Sequence, residues 1–179
     1  LGNEIEISFF SSSGYIESAY WNWGDGKTSD VNVVGEITTS HTYTEPGVYT
    51  PTLTIVGCNE VVDTTYRYIV IYDPEGGFVT GAGWIESPIG ASLRYPDATG
   101  KAFFGFVSKY VKGATVPEGR TQFKFSAGNL DYVSTEYDWL VVAGSKAKFK
   151  GTGTINDDGE YGFMISAIDG DAQEKGDPD

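Results

Sequence analysis

The sequence predicts an all-β protein made of two tandem β-domains. Short segments alternate polar and apolar residues, as EIEISFF at residues 4–10 does with Ile5 and Ile7, and this alternation is typical of half-buried strands. The 179 residues include 24 glycines and 15% aromatic residues. Such a composition favours strands joined by tight turns. No helical period persists, so we expect strands in both halves.

In the first half, the predicted strands alternate with strong turn signals. The turn Gly24-Asp25-Gly26 ends the second strand and needs backbone of positive φ. After the turn Glu45-Pro46-Gly47, Tyr49, Leu53 and Ile55 form an inward-facing row. In chain order, the predicted strands are residues 4–10, 15–23, an edge strand within 27–40, two extended pieces within 40–57, and 61–72.

The segment DPEGG at residues 73–77 divides the chain, because it combines proline, glycine and charge between two strand-rich halves. We therefore expect one domain at residues 1–73, a linker at 74–77 and a second domain at 78–179. The regularly spaced strands of the second half predict a β-sandwich or jelly-roll-like module. Its strand segments are residues 78–88, 101–113, 120–128, 131–144, 146–155 and 160–171.

The charge of the chain excludes several classes of function. The formal net charge is −13 and the sequence pI is near 4.3, so the surface repels phosphate backbones and nucleic acid is not an expected partner. The apolar runs are only a few residues long, so no membrane insertion is expected. Cys58 is the only cysteine. A reactive thiol there would need a base, and we expect Cys58 to be a small apolar residue.

Two motifs in the first half resemble the polycystic-kidney-disease (PKD) domain, an immunoglobulin-like β-sandwich of surface and secreted proteins. They are YWNWGDG at residues 20–26 and SHTYTEPGVYTPTLTI at residues 40–55. The family pattern is an aromatic-x-aromatic-Gly-Asp-Gly turn, then His-x-Tyr, Pro-Gly-x-Tyr and a strand. The matching residues are Trp21, Trp23, Gly24, Asp25, Gly26, His41, Tyr43, Gly47, Tyr49, Leu53 and Thr54.

The resemblance implies that these residues are a signature of the fold and not an active site. One tryptophan of the Trp21–Trp23 pair is then expected in the core, and Asp25 is expected to tie down the turn. It also implies a secreted, extracellular or cell-surface location. His41 becomes a strand residue, which argues against a Ser-His-Asp triad.

The second half is similar to an uncharacterised β-module at the C-terminal ends of secreted bacterial repeat proteins. The residues that support this include GWIESPIGA, YDWLVVAG and YGFMISAIDGD. PKD domains usually have a strand before the segment at residues 4–10, and modules like the second half have another strand after the acidic loop. Both ends therefore resemble families with one more strand, which predicts strand exchange with a neighbouring subunit.

The acidic C-terminus, IDGDAQEKGDPD, is a candidate calcium site. Calcium takes six to eight oxygen ligands from carboxylates and carbonyls in a flexible loop. A Glu is missing at the EF-hand position, so the loop is not an EF-hand, and solvated turn acids are the alternative. The candidate ligands are Asp169, Asp171, Asp177, Asp179 and, from NDDG at 156–159, Asp157. Asp25 with Asp30 is a weaker candidate pair.

Trp84 and Trp139 are candidate ligand-binding residues, because indole rings stack on the apolar faces of sugars. Packing between sheets is the alternative role for both. Paired carboxylates could serve a glycosidase, but no acid in this sequence stands out from the others. Phosphate loops are also excluded, because GTGT at residues 151–154 and TGAG at residues 80–83 lack the lysine and the helix.

These features predict a non-catalytic, extracellular or cell-surface module that makes structural or adhesive protein–protein contacts. The finer expectation is a strand-exchanging filament or surface-layer subunit. Its partners are other protein domains or copies of itself. The alternative is a carbohydrate- or collagen-binding accessory module of a secreted hydrolase, with polysaccharide as partner. Calcium is the one cofactor the sequence suggests.

Overall fold

A computed structural model shows an all-β chain that separates into two compact units, Leu1–Ile71 and Tyr72–Asp179. The predicted fold class is confirmed. Between the last strand of the first unit and the first strand of the second, the Asp73 carbonyl accepts a hydrogen bond from the Gly76 amide. The structure describes Gly2 and residues 4–9, 16–31, 37–57, 60–66 and 68–170.

The described residues of the first unit form eight strands in three antiparallel groups. β2, β3, β6 and β7 form a four-stranded sheet in the order β3-β2-β6-β7, while β1 pairs with β4 and β5 pairs with β8. The strands are β1 (Glu4–Phe9), β2 (Ile16–Asn22), β3 (Thr28–Val31), β4 (Ile37–Thr42), β5 (Gly47–Tyr49), β6 (Thr52–Gly57), β7 (Val61–Thr65) and β8 (Ile69–Ile71).

The core of the first unit lies between these groups, as in a sandwich. Alternate residues of β2, Ala19 and Trp21, are buried together with Leu53 of β6. Ile5 and Ile7 of β1 pack against this core. The inward row predicted for Tyr49, Leu53 and Ile55 is confirmed.

The prediction of a single strand over residues 61–72 is wrong. β7 pairs with β6, whereas β8 pairs with β5 in a different sheet. Val61–Thr65 is exposed throughout, whereas Ile69 and Ile71 pack on the core. The chain therefore changes sheets between Thr65 and Ile69.

Residues 72–170 of the second unit form one six-stranded antiparallel sheet, in which every strand pairs with the next along the chain. All six predicted strand segments of this half are confirmed. The strands are β9 (Phe78–Ser87), β10 (Gly100–Lys109), β11 (Glu118–Phe125), β12 (Leu130–Ala143), β13 (Lys146–Ile155) and β14 (Asp158–Ile168).

This sheet curls on itself, because residues from both of its edges share one core. Val79 of edge strand β9 belongs to the same cluster as Phe149 of β13, and Ile165 of edge strand β14 packs against it. Register shifts in β12 between Ser134 and Glu136 and between Tyr137 and Trp139 help the strand to bend. The connectivity is thus an up-and-down meander, which differs from that of a jelly roll.

Candidate functional site

The turn after β2 is held by side chains that bond to its own backbone. Gly24 and Gly26 have φ of 78° and 84°, a conformation that glycine adopts without strain. Asn22 Oδ1 accepts a hydrogen bond from the Gly24 amide at 3.0 Å, and Asp25 Oδ1 accepts one from the Lys27 amide at 3.1 Å. Asp25 therefore fixes the turn, as the sequence predicts.

The aromatic residues beside this turn form a continuous stack inside the first unit. The Trp23 ring lies 4.5 Å from the His41 ring at an interplanar angle of 9°, and Tyr43 meets His41 edge-on at 4.6 Å. Tyr43 in turn stacks on Tyr49 at 4.2 Å. The Tyr43 hydroxyl donates to the Trp23 carbonyl at 2.9 Å. The rings and their polar atoms are thus used within the fold.

Both tryptophans of the pair are core residues, which corrects the prediction that one of them is. Trp21 is 4% exposed and Trp23 is 0% exposed. Trp23 directly follows β2 and continues its alternation, in which residues i and i+2 point to the same face, so both rings enter the sandwich. The indole Nε1 of Trp23 donates to Ser29 Oγ at 2.9 Å. Neither ring is exposed enough to stack on a ligand.

Asp25 and His41 form the one acid–base pair of this stack. His41 Nε2 lies 2.9 Å from Asp25 Oδ2, and the Lys27 ammonium lies 3.6 Å from the same oxygen. Burial raises the pKa of the Asp25 carboxyl, but hydrogen bonds from His41 and the Lys27 amide outweigh it and hold the pKa below its usual value. Because its carboxylate is already paired, we do not expect Asp25 to bind calcium with Asp30.

Residues 4–70 match the family model of the PKD domain. These residues are a PKD domain, as the motifs predict. Such domains are non-catalytic immunoglobulin-like modules, typical of extracellular proteins, that mediate protein–protein contacts. Searches of curated proteins and of solved structures found no match to the chain. None of the helices in the described ranges is long and apolar enough to cross a membrane.

The predicted calcium ligands fall in two places, and some lie outside the described residues. Asp157 is in the turn before β14, while Asp169 follows the other end of that strand. The eleven residues of β14 span roughly 35 Å, so these two carboxylates do not share one ion. No group of three metal-ligating side chains occurs among the described residues. Asp171, Asp177 and Asp179 lie outside them, as does Cys58.

The two candidate tryptophans of the second unit do not form one platform. Trp84 on β9 is 52% exposed, with the Lys101 ammonium 3.8 Å from its ring centre. Trp139 is half-buried on β12, opposite Lys150. Three strand spacings, about 14 Å, separate β9 from β12.

Sequence reasoning missed an exposed aromatic residue directly opposite Trp84. Phe103 of β10 is the cross-strand partner of Trp84 and is 53% exposed. Directly opposite residues of antiparallel strands have Cβ atoms about 5 Å apart, so the two rings are neighbours on the outer face of the sheet. The alternation in KAFFGFVSK could have identified Phe103, because Phe103, Gly105 and Val107 share one face.

Proposed function

We propose that this chain is a non-catalytic extracellular module that joins protein chains through exposed sheet edges. The observation that carries the proposal is the edge strand β7 of the PKD domain. All five of its residues are exposed, and Val61 and Val62 are 63% and 43% exposed. In the part of the chain that the structure describes, β7 pairs with β6 alone.

An edge of this kind suits strand addition. Its unpaired backbone N–H and C=O groups can pair with a strand of another chain, and apolar side chains then gain buried area. Val62 is the cross-strand partner of Ile55, whose side chain packs on the core. A strand added beside β7 would therefore extend the sandwich and cover Val62. Adhesion and filament growth are the roles that repeated addition of this kind would serve.

The acid–base chemistry of the PKD domain supports a non-catalytic role. The imidazole of His41 is bonded to Asp25 and packed between Trp23 and Tyr43. Its side chain is 8% exposed. A general base needs to reach a substrate proton, and this imidazole is occupied by the fold.

Sedimentation velocity over a range of concentrations tests this proposal. We expect reversible self-association that Val62→Lys weakens, because a lysine on an edge strand disfavours pairing. Val116→Lys, at a similarly exposed valine in the loop between β10 and β11, is the matched control and should leave association unchanged. A chain that stays monomeric at the highest concentration, or variants that behave alike, would contradict edge pairing between copies.

A second candidate function, carbohydrate binding, is favoured by the exposed pair Trp84 and Phe103. Aromatic rings side by side on a sheet face present an apolar surface on which the C–H faces of sugar rings can pack. Lys101, whose ammonium lies over Trp84, adds a hydrogen-bond donor at the same place. Retention of the protein by polysaccharides in affinity electrophoresis tests this candidate, and Trp84→Ala should reduce retention.

A further inference from the structure

Gly105 is a glycine inside strand β10 whose missing side chain leaves open space. A Cβ built there would meet nothing nearer than the Ala82 Cβ at 3.9 Å. Gly81 on β9 differs, because a Cβ there would lie 2.5 Å from the Phe106 ring. Glycine weakens a strand and often marks a place where a ligand approaches closely. The Phe106 ring therefore explains why residue 81 is a glycine, whereas no neighbouring atom explains why residue 105 is one.

The register of the sheet places Gly105 at the floor of a groove on the outer face. Gly105 lies between its cross-strand partners Ala82 on β9 and Gln122 on β11. The row on one side of this floor is Trp84, Phe103 and Lys124, and the row on the other side is Thr80, Val107 and Arg120. A cavity of about 530 Å³ follows this floor, lined by Ala82, Phe103, Gly105, Val107, Arg120 and Lys124 among others.

The walls of the groove carry an aromatic ring and two cations. Phe103 is 53% exposed, so one ring face is open to a ligand. Arg120 and Lys124 point from opposite walls, since they flank Gln122 on the same face of β11. Lys124 pairs with Asp131 at 3.2 Å, whereas Arg120 has no ion-pair partner among the residues that the structure describes. A guanidinium in this position is suited to bind a carboxylate through two hydrogen bonds.

The outer face carries seven basic side chains, but several of them lie beside an acidic one. The register sets Lys101 opposite Glu86, Lys109 opposite Glu118 and Lys124 opposite Asp131. Arg120 has no acidic residue directly opposite it on β10, because its partner there is Val107. The strand register assigns to this face Lys101, Lys109, Arg120, Lys124, Lys146, Lys148 and Lys150.

We propose that this groove binds a carboxylate-bearing polysaccharide, and the proposal rests on carbohydrate binding as the second candidate function. A sugar ring would pack on Phe103 above Gly105, and uronate groups would accept hydrogen bonds from Arg120 and Lys124. The groove crosses the strands, and the backbone groups beneath it are already paired in the ladder. An acidic peptide would find no backbone partners there, whereas sugar hydroxyls bond to side chains and water.

The decisive variant fills the groove without disturbing the fold. Gly105→Val places a β-branched side chain in open space on an ordinary strand, so it should fold at least as well as the parent chain. Gly162→Val is the matched control. Gly162 is an equally open strand glycine, with nothing nearer than the Gly151 carbonyl oxygen at 3.9 Å, and it lies between Glu160 and Met164 on β14.

Isothermal titration with polygalacturonate, dextran and poly-glutamate, in EDTA to exclude calcium bridging, tests the proposal. We expect polygalacturonate to bind, Gly105→Val to weaken binding by about tenfold or more, and Gly162→Val to have no effect. Arg120→Ala should also weaken binding. Lys112→Ala, which removes a charge from the exposed β10–β11 loop, should change it much less.

Other results would overturn the inference in distinguishable ways. Equal effects of Gly105→Val and Gly162→Val would show that the groove is not the site. Dextran binding without polygalacturonate binding would remove the acidic class and leave carbohydrate binding in place. Tighter binding of poly-glutamate than of polygalacturonate would identify an acidic peptide as the ligand. Failure of every glycan to bind would remove both the inference and the second candidate function.

Discussion

The Nε2 atom of His41 lies 2.9 Å from Oδ2 of Asp25, sixteen residues earlier in the chain. This contact joins the turn after β2 to strand β4. The same carboxylate accepts a hydrogen bond from the Lys27 amide, so the Asp25 side chain links a local turn to a distant strand. The two most chemically suggestive residues of the PKD domain are therefore structural.

Replacing Asp25 should destabilise the PKD domain. Asp25→Ala removes the hydrogen bonds to His41 and the Lys27 amide and leaves a buried imidazole without its partner, so we expect a loss of about 2 kcal/mol in the free energy of unfolding. Asp30→Ala, which removes an exposed carboxylate from neighbouring β3, is the control and should stay within about 0.5 kcal/mol of the parent chain. Urea unfolding followed by tryptophan fluorescence measures both. Equal effects would show that the Asp25–His41 contact contributes nothing.

Asp25 should also make the PKD domain sensitive to acid. Its pKa is lower in the folded state than the ordinary 3.8, so the ionised carboxylate contributes stability above that value. This contribution is lost as the pH falls from about 4 through the folded pKa. Asp25→Asn should therefore flatten the dependence of the unfolding free energy on pH below 4. An unchanged acid dependence in Asp25→Asn would assign it to other carboxyls.

Alkaline pH should destabilise both units through buried tyrosines. Burial raises the pKa of Tyr43 in the PKD domain and of Tyr132 in the second unit to about 12, from 10.0. The unfolded state ionises first, so their stabilising effect is complete below pH 10 and is lost as the pH rises toward 12. Tyr43→Phe should be less stable at neutral pH but lose less between pH 10 and 12. Thermal melts across this range provide the test, and parallel curves would refute it.

Removing a hydroxyl from the interior of the second unit should stabilise it. Ser108 is 0% exposed, and its Oγ has no hydrogen-bond partner among the described residues. Ser108→Ala should therefore raise the unfolding free energy by about 1 kcal/mol. Thr121→Val is the contrasting variant, because the buried Thr121 hydroxyl bonds to the Tyr137 hydroxyl at 2.7 Å. Thr121→Val should lower the free energy of unfolding. If Ser108→Ala lowers it as well, the Ser108 hydroxyl is bonded to a water molecule in the native protein.

The calcium site stays a prediction of the sequence, and its consequence is measurable. An ion that binds the native state raises the melting temperature by mass action. Calcium should therefore raise the melting temperature, and Asp169→Asn should reduce the shift. Asp157→Asn, at the other end of β14, is the control for general loss of negative charge. An identical melting temperature in calcium and in EDTA would contradict the prediction.

Strand positions were predictable wherever the residues alternate, but strand partners were not. The six strands of the second unit follow from local patterns, since turn signals bound each one. The prediction of one strand over residues 61–72 was wrong because β7 and β8 follow each other closely in sequence but belong to different sheets. That separation depends on pairing with β6 and β5, and no local pattern records it.

The candidate groove also depends on strand pairing, which the sequence does not show. The sequence identified Trp84 as a candidate ligand-binding residue, with packing between sheets as the alternative role. The relation of Phe103, Gly105 and Arg120 to Trp84 required the register of three strands. Conversely, Trp23 comes directly after β2 and two positions after the buried Trp21, so the alternation of the strand already favoured one face for both rings.

Iodide quenching of a Trp84→Phe, Trp139→Phe variant tests the central claim most directly. The remaining tryptophans, Trp21 and Trp23, should emit as apolar, water-excluded indoles and resist quenching until the chain unfolds. That result would show that the PKD signature residues form the core and leave binding to the exterior surfaces. Emission typical of water-exposed indole, with free quenching in the folded chain, would instead place an open site at the turn after β2.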